Sequence, residues 1–305
     1  MFYTMTNTMI MLGIVMGLGF YLQKKDVLND EVRNKLTYIL LNISLPLTFF
    51  KAFQVEKNDE TLSLGVTILA LSIFLHILFM VLGLVLAKVI KADDSEKGII
   101  IFGCTFKNLT YIGFPVVLGV FASYQPTFYG TLFCIPFNVL TFSLGPVFLS
   151  GKKGEKIKLK DFLTNINLAV FLGILFFLLE IKLPYAIENS ISVISNMTIP
   201  LSLLLTGALL TKSDFKTLLK EPKVLIVTFV SLIIYPLIYF ALAYLFYGDT
   251  FVVDFTFIMA LLPSATMTMI LTDKYGGNID FAGKIVLTTT VCSLFTVAIL
   301  GGLFI

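Results

Sequence analysis

Charge is what this sequence has least of. Only 13% of its 305 residues are Asp, Glu, Lys or Arg, about half the share in an ordinary soluble domain. The formal net charge of +3 comes from basic loops and forms no patch for nucleic acid, so no nucleic-acid partner is expected. Histidine occurs once and cysteine three times. No Cys-x-x-Cys motif or Cys/His cluster is present, so neither a metal nor another cofactor is expected. Cys104, Cys134 and Cys292 lie inside apolar runs and read as small packing residues. An intramembrane enzyme needs a paired base and nucleophile, or a metal cluster. A single His76, which reads as a packing histidine with a proton relay as the alternative, and no deep carboxylate argue against one. The three Asn-x-Ser/Thr sequons, at Asn42, Asn108 and Asn196, fall inside apolar runs and are not read as glycosylation sites.

What abounds is hydrophobic: 57% of residues, with a mean hydropathy of +0.95. These residues come in long runs separated by short charged loops, not in amphipathic stripes, which is the membrane pattern. A bilayer-spanning helix takes roughly 20 apolar residues, so the chain holds about ten. The expected spans are 4–22, 36–53, 63–89, 98–121, 127–150, 165–181, 190–211, 223–246, 252–272 and 281–304. The first run lacks a preceding basic residue and a small-residue cleavage site. It reads as a retained span rather than a signal peptide. The fold class is an all-α polytopic membrane protein, with the lipid bilayer as its first partner.

Basic residues sort the loops into two sets. Loops after spans 1, 3, 5, 7 and 9 carry 18 Lys and Arg, and the loops after spans 2, 4, 6 and 8 carry three. Positive loops stay in the cytoplasm. Both termini are therefore expected outside the inner or plasma membrane. The remaining basic residue, Lys107, lies inside span 4.

The two halves resemble each other. Span 2 contains Asn42-Ile-Ser-Leu-Pro46 and span 7 contains Asn196-Met-Thr-Ile-Pro200. Span 4 carries Pro115 and span 9 carries Pro263, again about half a chain apart. Each half has five spans, so the second half enters from the opposite side. The expectation is a 5+5 inverted repeat, residues 1–150 and 151–305, a hallmark of secondary transporters.

Span 4 reads Gly103-Cys-Thr-Phe-Lys-Asn-Leu-Thr-Tyr-Ile-Gly-Phe-Pro115, and span 9 contains Leu262-Pro-Ser-Ala-Thr-Met-Thr268. Polar groups in hydrocarbon are costly unless satisfied. Such clusters suit broken helices that line a water-filled cavity. Proline removes a donor and disfavours helix before it, and Gly113 permits an unwound geometry. A break leaves amides at one half-helix end, suited to an anion, and carbonyls at the other, suited to a cation. Lys107, Asn108, Tyr111, Pro115, Pro263 and Ser264 are the candidate substrate-binding residues. Three readings stand for Lys107: a partner for a substrate carboxylate, an ammonium replacing a coupling sodium ion, or a structural lysine held by carbonyls. Asn138 and Thr288-Thr289-Thr290 are further cavity candidates.

The stretch from Lys107 to Phe121 resembles the fourth-helix segment of the auxin efflux carrier family, which includes plant auxin exporters and bacterial organic-acid permeases. Asn196 to Ala208 is similar to the family's seventh helix. Leu262-Pro-Ser-Ala265, Asp273-Lys-Tyr-Gly276 and the Thr/Ser-rich last span resemble its C-terminal end. The resemblance implies crossing broken spans 4 and 9, a scaffold of spans 1, 2, 6 and 7, often dimeric, and a moving domain of spans 3–5 and 8–10. It implies elevator-type movement of a small organic anion, an auxin-like monocarboxylate or a malate- or malonate-like dicarboxylate. The family's crossover asparagine falls on Asn108, and its prolines on Pro115 and Pro263. A sodium-coupled bile-acid-type symporter is the alternative. Its sodium cage often uses acidic ligands, and none lies deep here.

Overall fold

The computed structural model describes residues 2–121, 125–149, 164–212 and 221–305. In order, the helices are α1 (Phe2–Lys24), α2 (30–52), α3 (Asp59–Val89), α4 (Asp94–Thr105), α5 (Leu109–Val120) and α6 (Pro126–Leu149). Then follow α7 (Asn165–Leu178), α8 (Tyr185–Leu209), α9 (Pro222–Tyr247), α10 (Phe251–Leu261), α11 (Met267–Lys274) and α12 (Ile279–Phe304). No strand is found among the described residues, which hold one isolated bridge, Lys107 to Ser264. Among the described residues, α1, α3, α8, α9 and α12 are each long and apolar enough to cross a membrane, and α6, bent by 47°, makes a sixth if it is counted as one span. Lys152, Lys153, Lys156, Lys158, Lys160, Lys216 and Lys220, which weigh in the loop count, lie outside the described residues.

Two helices start earlier than hydropathy suggests, because asparagines cap them. Asn29 Oδ1 accepts the Val32 amide at 3.0 Å, so α2 begins at Asp30. Asn58 Oδ1 accepts the Thr61 amide at 2.8 Å, so α3 begins at Asp59. Both caps are followed by two acidic residues, which favour the positive end of a helix.

The surface is inverted relative to a soluble protein. Ile14, Val66, Phe171, Leu245 and Leu303 are exposed, while Ser44, Ser72, His76, Lys107 and Thr289 are buried. That distribution suits hydrocarbon as the solvent and interior polar groups paired with one another. His76 follows it: Nδ1 donates to the Ser72 carbonyl at 2.7 Å, and the ring packs among Phe106, Phe133 and Phe137.

α1 and α8 approach at backbone distance through two glycines. A Cβ on Gly207 would collide with the Met16 carbonyl, and one on Gly19 with the Leu204 carbonyl. Small residues at such crossings replace the hydrophobic drive that lipid cannot supply. Nearby, the matched hydroxyls of the two Asn-x-Ser/Thr-x-Pro motifs meet. Ser44 Oγ and Thr198 Oγ1 are 2.5 Å apart, and Thr48 joins Thr198 at 2.7 Å.

Three helices widen into a π-turn just before a proline. Leu40–Ser44 precedes Pro46, Leu109–Gly113 precedes Pro115 and Val230–Ile234 precedes Pro236. In each case the proline is the second residue of the helix that resumes. The missing N–H frees a carbonyl one turn back, and the wider turn relieves the ring clash.

Candidate functional site

The chain is interrupted between α4 and α5 and again between α10 and α11. Phe106 is extended (φ −97°, ψ 109°), as is Leu262 (φ −64°, ψ 154°). Pro263 accounts for the second, since proline drives the preceding residue out of helix. The two breaks bond to each other. The Asn108 amide donates to the Pro263 carbonyl at 2.8 Å, and the Ala265 amide donates to the Phe106 carbonyl at 2.8 Å. These bonds flank the Lys107–Ser264 bridge symmetrically. Each break thus satisfies backbone groups that the other exposes.

Ser264 completes this accounting. Its hydroxyl donates to the Gly103 carbonyl at 2.6 Å, where α4 ends, and its amide donates to Thr289 Oγ1 at 3.2 Å. Of the Thr288–Thr290 run, Thr289 therefore serves the crossing.

Two expectations change. Gly113 is helical (φ −61°, ψ −52°), not unwound. Its lack of a side chain matters because a Cβ would lie 2.7 Å from Leu262 Cδ1 in the opposite break. Pro115 does not make the break either; it sits in the first turn of the helix resuming after a π-turn. In an α-helix its amide would have bonded Tyr111. The Tyr111 carbonyl instead accepts from Ser202 Oγ at 3.2 Å, tying α5 to α8. Across the bridge, Pro263 faces Asn108 rather than Pro115.

Asn108 caps α5, its Oδ1 accepting the Tyr111 amide at 3.2 Å, and its Nδ2 donates to Thr266 Oγ1 at 3.3 Å. Thr266 is the N-cap of α11. Two helix N-termini, both carrying partial positive charge, therefore meet through these side chains. A small cavity of about 60 Å³ beside them is lined by Lys107, Asn108, Tyr111, Asn138 and Thr266. A larger cavity of about 470 Å³ also reaches Tyr111 and Thr266, and includes Arg33.

Lys107 is buried, and its ammonium bonds Ser231 rather than groups at these N-termini. Nζ donates to the Ser231 carbonyl at 2.9 Å and to Ser231 Oγ at 2.7 Å, and lies 5.2 Å from the centre of the Phe79 ring. The carbonyl is available for a specific reason. Its α-helical donor, the Tyr235 amide, bonds Val230 instead, and the next residue is Pro236. Sequence reading missed Ser231, Thr266 and Arg33. Ser231 could have been found from its spacing to Pro236. Arg33 could have been found as the single arginine of the chain.

Comparison with known proteins points to membrane transport. A family model described as a membrane transport protein matches residues 4–150 and 151–300. An uncharacterized transporter of Methanocaldococcus jannaschii is 26% identical over 306 residues, covering 97% of each chain. Another, from Methanothermobacter thermautotrophicus, is 23% identical, covering 95% of each. A protein of Rhizobium meliloti (strain 1021) described as "Putative malonate transporter" is 23% identical, covering 88% of this chain and 85% of its own. The matches run through both interrupted helices and nearly the whole chain, and the protein belongs to the membrane transport protein family, that of the auxin efflux carriers.

Proposed function

We propose that the protein is a secondary carrier of small organic anions, working by elevator-type alternating access. The observation that carries this reading is the meeting of the α5 and α11 N-termini at Asn108 and Thr266, beside cavities at the two breaks. Donor-rich helix ends suit a carboxylate. The relative described as a malonate transporter makes malonate the first substrate to try.

The ten-span inverted repeat belongs to the same proposal. The bonds Asn108–Pro263 and Ala265–Phe106, and the Ser44–Thr198 pair, join matching points of the two halves. α1 packs on α8 and α2 on α7, as a scaffold of spans 1, 2, 6 and 7 requires. α3 packs on α4, α6, α9 and α10, as a separate moving body requires. A homodimer through the scaffold is the expected assembly, from the family resemblance.

Lys107 takes the part of a coupling cation in this proposal. Its ammonium rests on a carbonyl and a hydroxyl, the ligand types a sodium ion would use. Transport is therefore expected to proceed without sodium, unlike a bile-acid-type symporter.

The test is radiolabelled malonate counterflow in proteoliposomes, in sodium and in potassium buffers. Saturable exchange in both buffers, reduced at least about tenfold by Asn108→Ala, is the expected result. No exchange by well-folded wild type refutes malonate as substrate. Equal exchange by Asn108→Ala removes that residue from the site. A strict sodium requirement returns the symporter reading.

A further inference from the structure

Of the 22 basic residues, Arg33 is the only arginine. It lies in the first turn of α2, yet only 8% of its side chain is exposed. It lines the cavity of about 470 Å³ whose other walls include Tyr111 and Thr266. We propose that Arg33 binds the second carboxylate of a dicarboxylate whose first carboxylate reaches the α11 N-terminus at Thr266. Arg33 then sets the preference for dicarboxylates over monocarboxylates. This inference rests on the anion-carrier reading above.

Burying a guanidinium is costly unless it is paired. Asp30 Oδ1 accepts from Nη1 at 2.6 Å, and Gln23 Oε1 accepts from the same nitrogen at 3.4 Å. Among the described residues, both hydrogen bonds of Arg33 use Nη1, so Nε and Nη2 remain for a ligand. Those donors form the planar fork that fits a carboxylate with two parallel bonds. A lysine suffices where only a positive loop is required; a buried arginine on a cavity wall meets a geometric need.

Two carboxylates also line this cavity, and solvent at their exposed positions screens their repulsion of an anion. Asp273 and Asp280 are exposed. Asp280 is bound by Lys284 at 2.6 Å, and Lys284 also bonds Glu221. The volume falls within the usual range for small-molecule sites, about 300–1,000 Å³. Arg33 sits on α2 and Thr266 at the start of α11, so a dicarboxylate held by both would bridge the proposed scaffold and moving body.

The test compares labelled malonate with labelled propionate, which has the same three carbons and one carboxylate fewer. Counterflow is measured for wild type, Arg33→Lys and Arg33→Gln in proteoliposomes, with folding checked by gel filtration. Wild type is expected to favour malonate. Arg33→Gln should lower malonate exchange at least about tenfold and propionate exchange less than about twofold. Arg33→Lys should fall between them, and it carries the test if Arg33→Gln does not fold. An unchanged malonate-to-propionate ratio, or an equal loss of both substrates, overturns the inference. If wild type exchanges neither substrate, malonate fails as the transported anion, separately from the Arg33 site. A malonate-induced rise in unfolding temperature, present in wild type and absent in Arg33→Lys, would then still uphold Arg33. Its absence from wild type would overturn it.

Discussion

A single side chain, Lys107, shows how a charge persists inside an apolar protein. Its partner is not a carboxylate. Two donors meet the carbonyl and hydroxyl of Ser231, and the ammonium also lies over Phe79. Removing it strands the Ser231 carbonyl in a closed interior. Lys107→Ala should therefore lower stability by about 1–3 kcal/mol, read as a fall in unfolding temperature in detergent. An unchanged temperature would show that the contact holds nothing together. The sequence exposed Lys107 at once, because it is the one charge deep in an apolar run. It hid the partner, because serine is common in such runs and is not costly enough to stand out. Arg33 was hidden differently. Near a span end it counts as one more positive loop charge, and only the folded chain places it on the wall of a cavity that Thr266 also lines.

Helices carry the next layer of consequence. Prolines suggested where the helices break, and they were informative about only one of the two interruptions. Pro263 does sit in a break, because Leu262 before it is extended. Pro46, Pro115 and Pro236 are accommodated by π-turns, which widen the helix and leave its direction free to continue. The break near Lys107 contains no proline and is held by bonds to the facing chain, so local sequence could not locate it. The long apolar runs themselves were legible, since their period and length need no partner to be read. The closest helix packing rests on glycines, which a hydropathy reading passes over. Gly207→Val should introduce at least about 1–3 kcal/mol of overpacking strain between α8 and α1. Gly17 has nothing within 4 Å of its Cβ position. Gly17→Ala should be neutral or stabilising by up to about 1 kcal/mol. Gel filtration and thermal unfolding of the two variants would separate a tight crossing from a merely glycine-rich helix. Equal behaviour would refute the crossing.

At the scale of the whole molecule, the ion pairs respect the two sets of loops. Lys57, after span 2, bonds Glu180, at the end of span 6, at 2.9 Å. Lys223 bonds Asp93 at 3.2 Å and Glu96 at 2.6 Å, joining the loops after spans 7 and 3. Lys284, near the start of span 10, bonds Glu221 at 2.6 Å in the loop after span 7. Arg33 shares its cavity with Asp273 and Asp280, so the loop after span 1 meets the loop after span 9. Each contact links loops or span ends assigned to one side by their charge, which supports two opposed faces with the bilayer between them. On the orientation expected from loop charge, the face of Arg33, Lys91 and Lys223 is cytoplasmic. On that orientation the cavity reaching Thr266 opens inward, and the one lined by Gln125, Glu188 and Asn196 opens outward. The check begins with a chain in which Cys104, Cys134 and Cys292 are replaced by alanine, followed by single cysteines at exposed positions near the helix ends. Glu188→Cys should react with an impermeant maleimide on intact cells, and Lys91→Cys only after permeabilisation. The reverse pattern would invert the molecule in the membrane. It would also make the Arg33 cavity the entry for substrate arriving from outside.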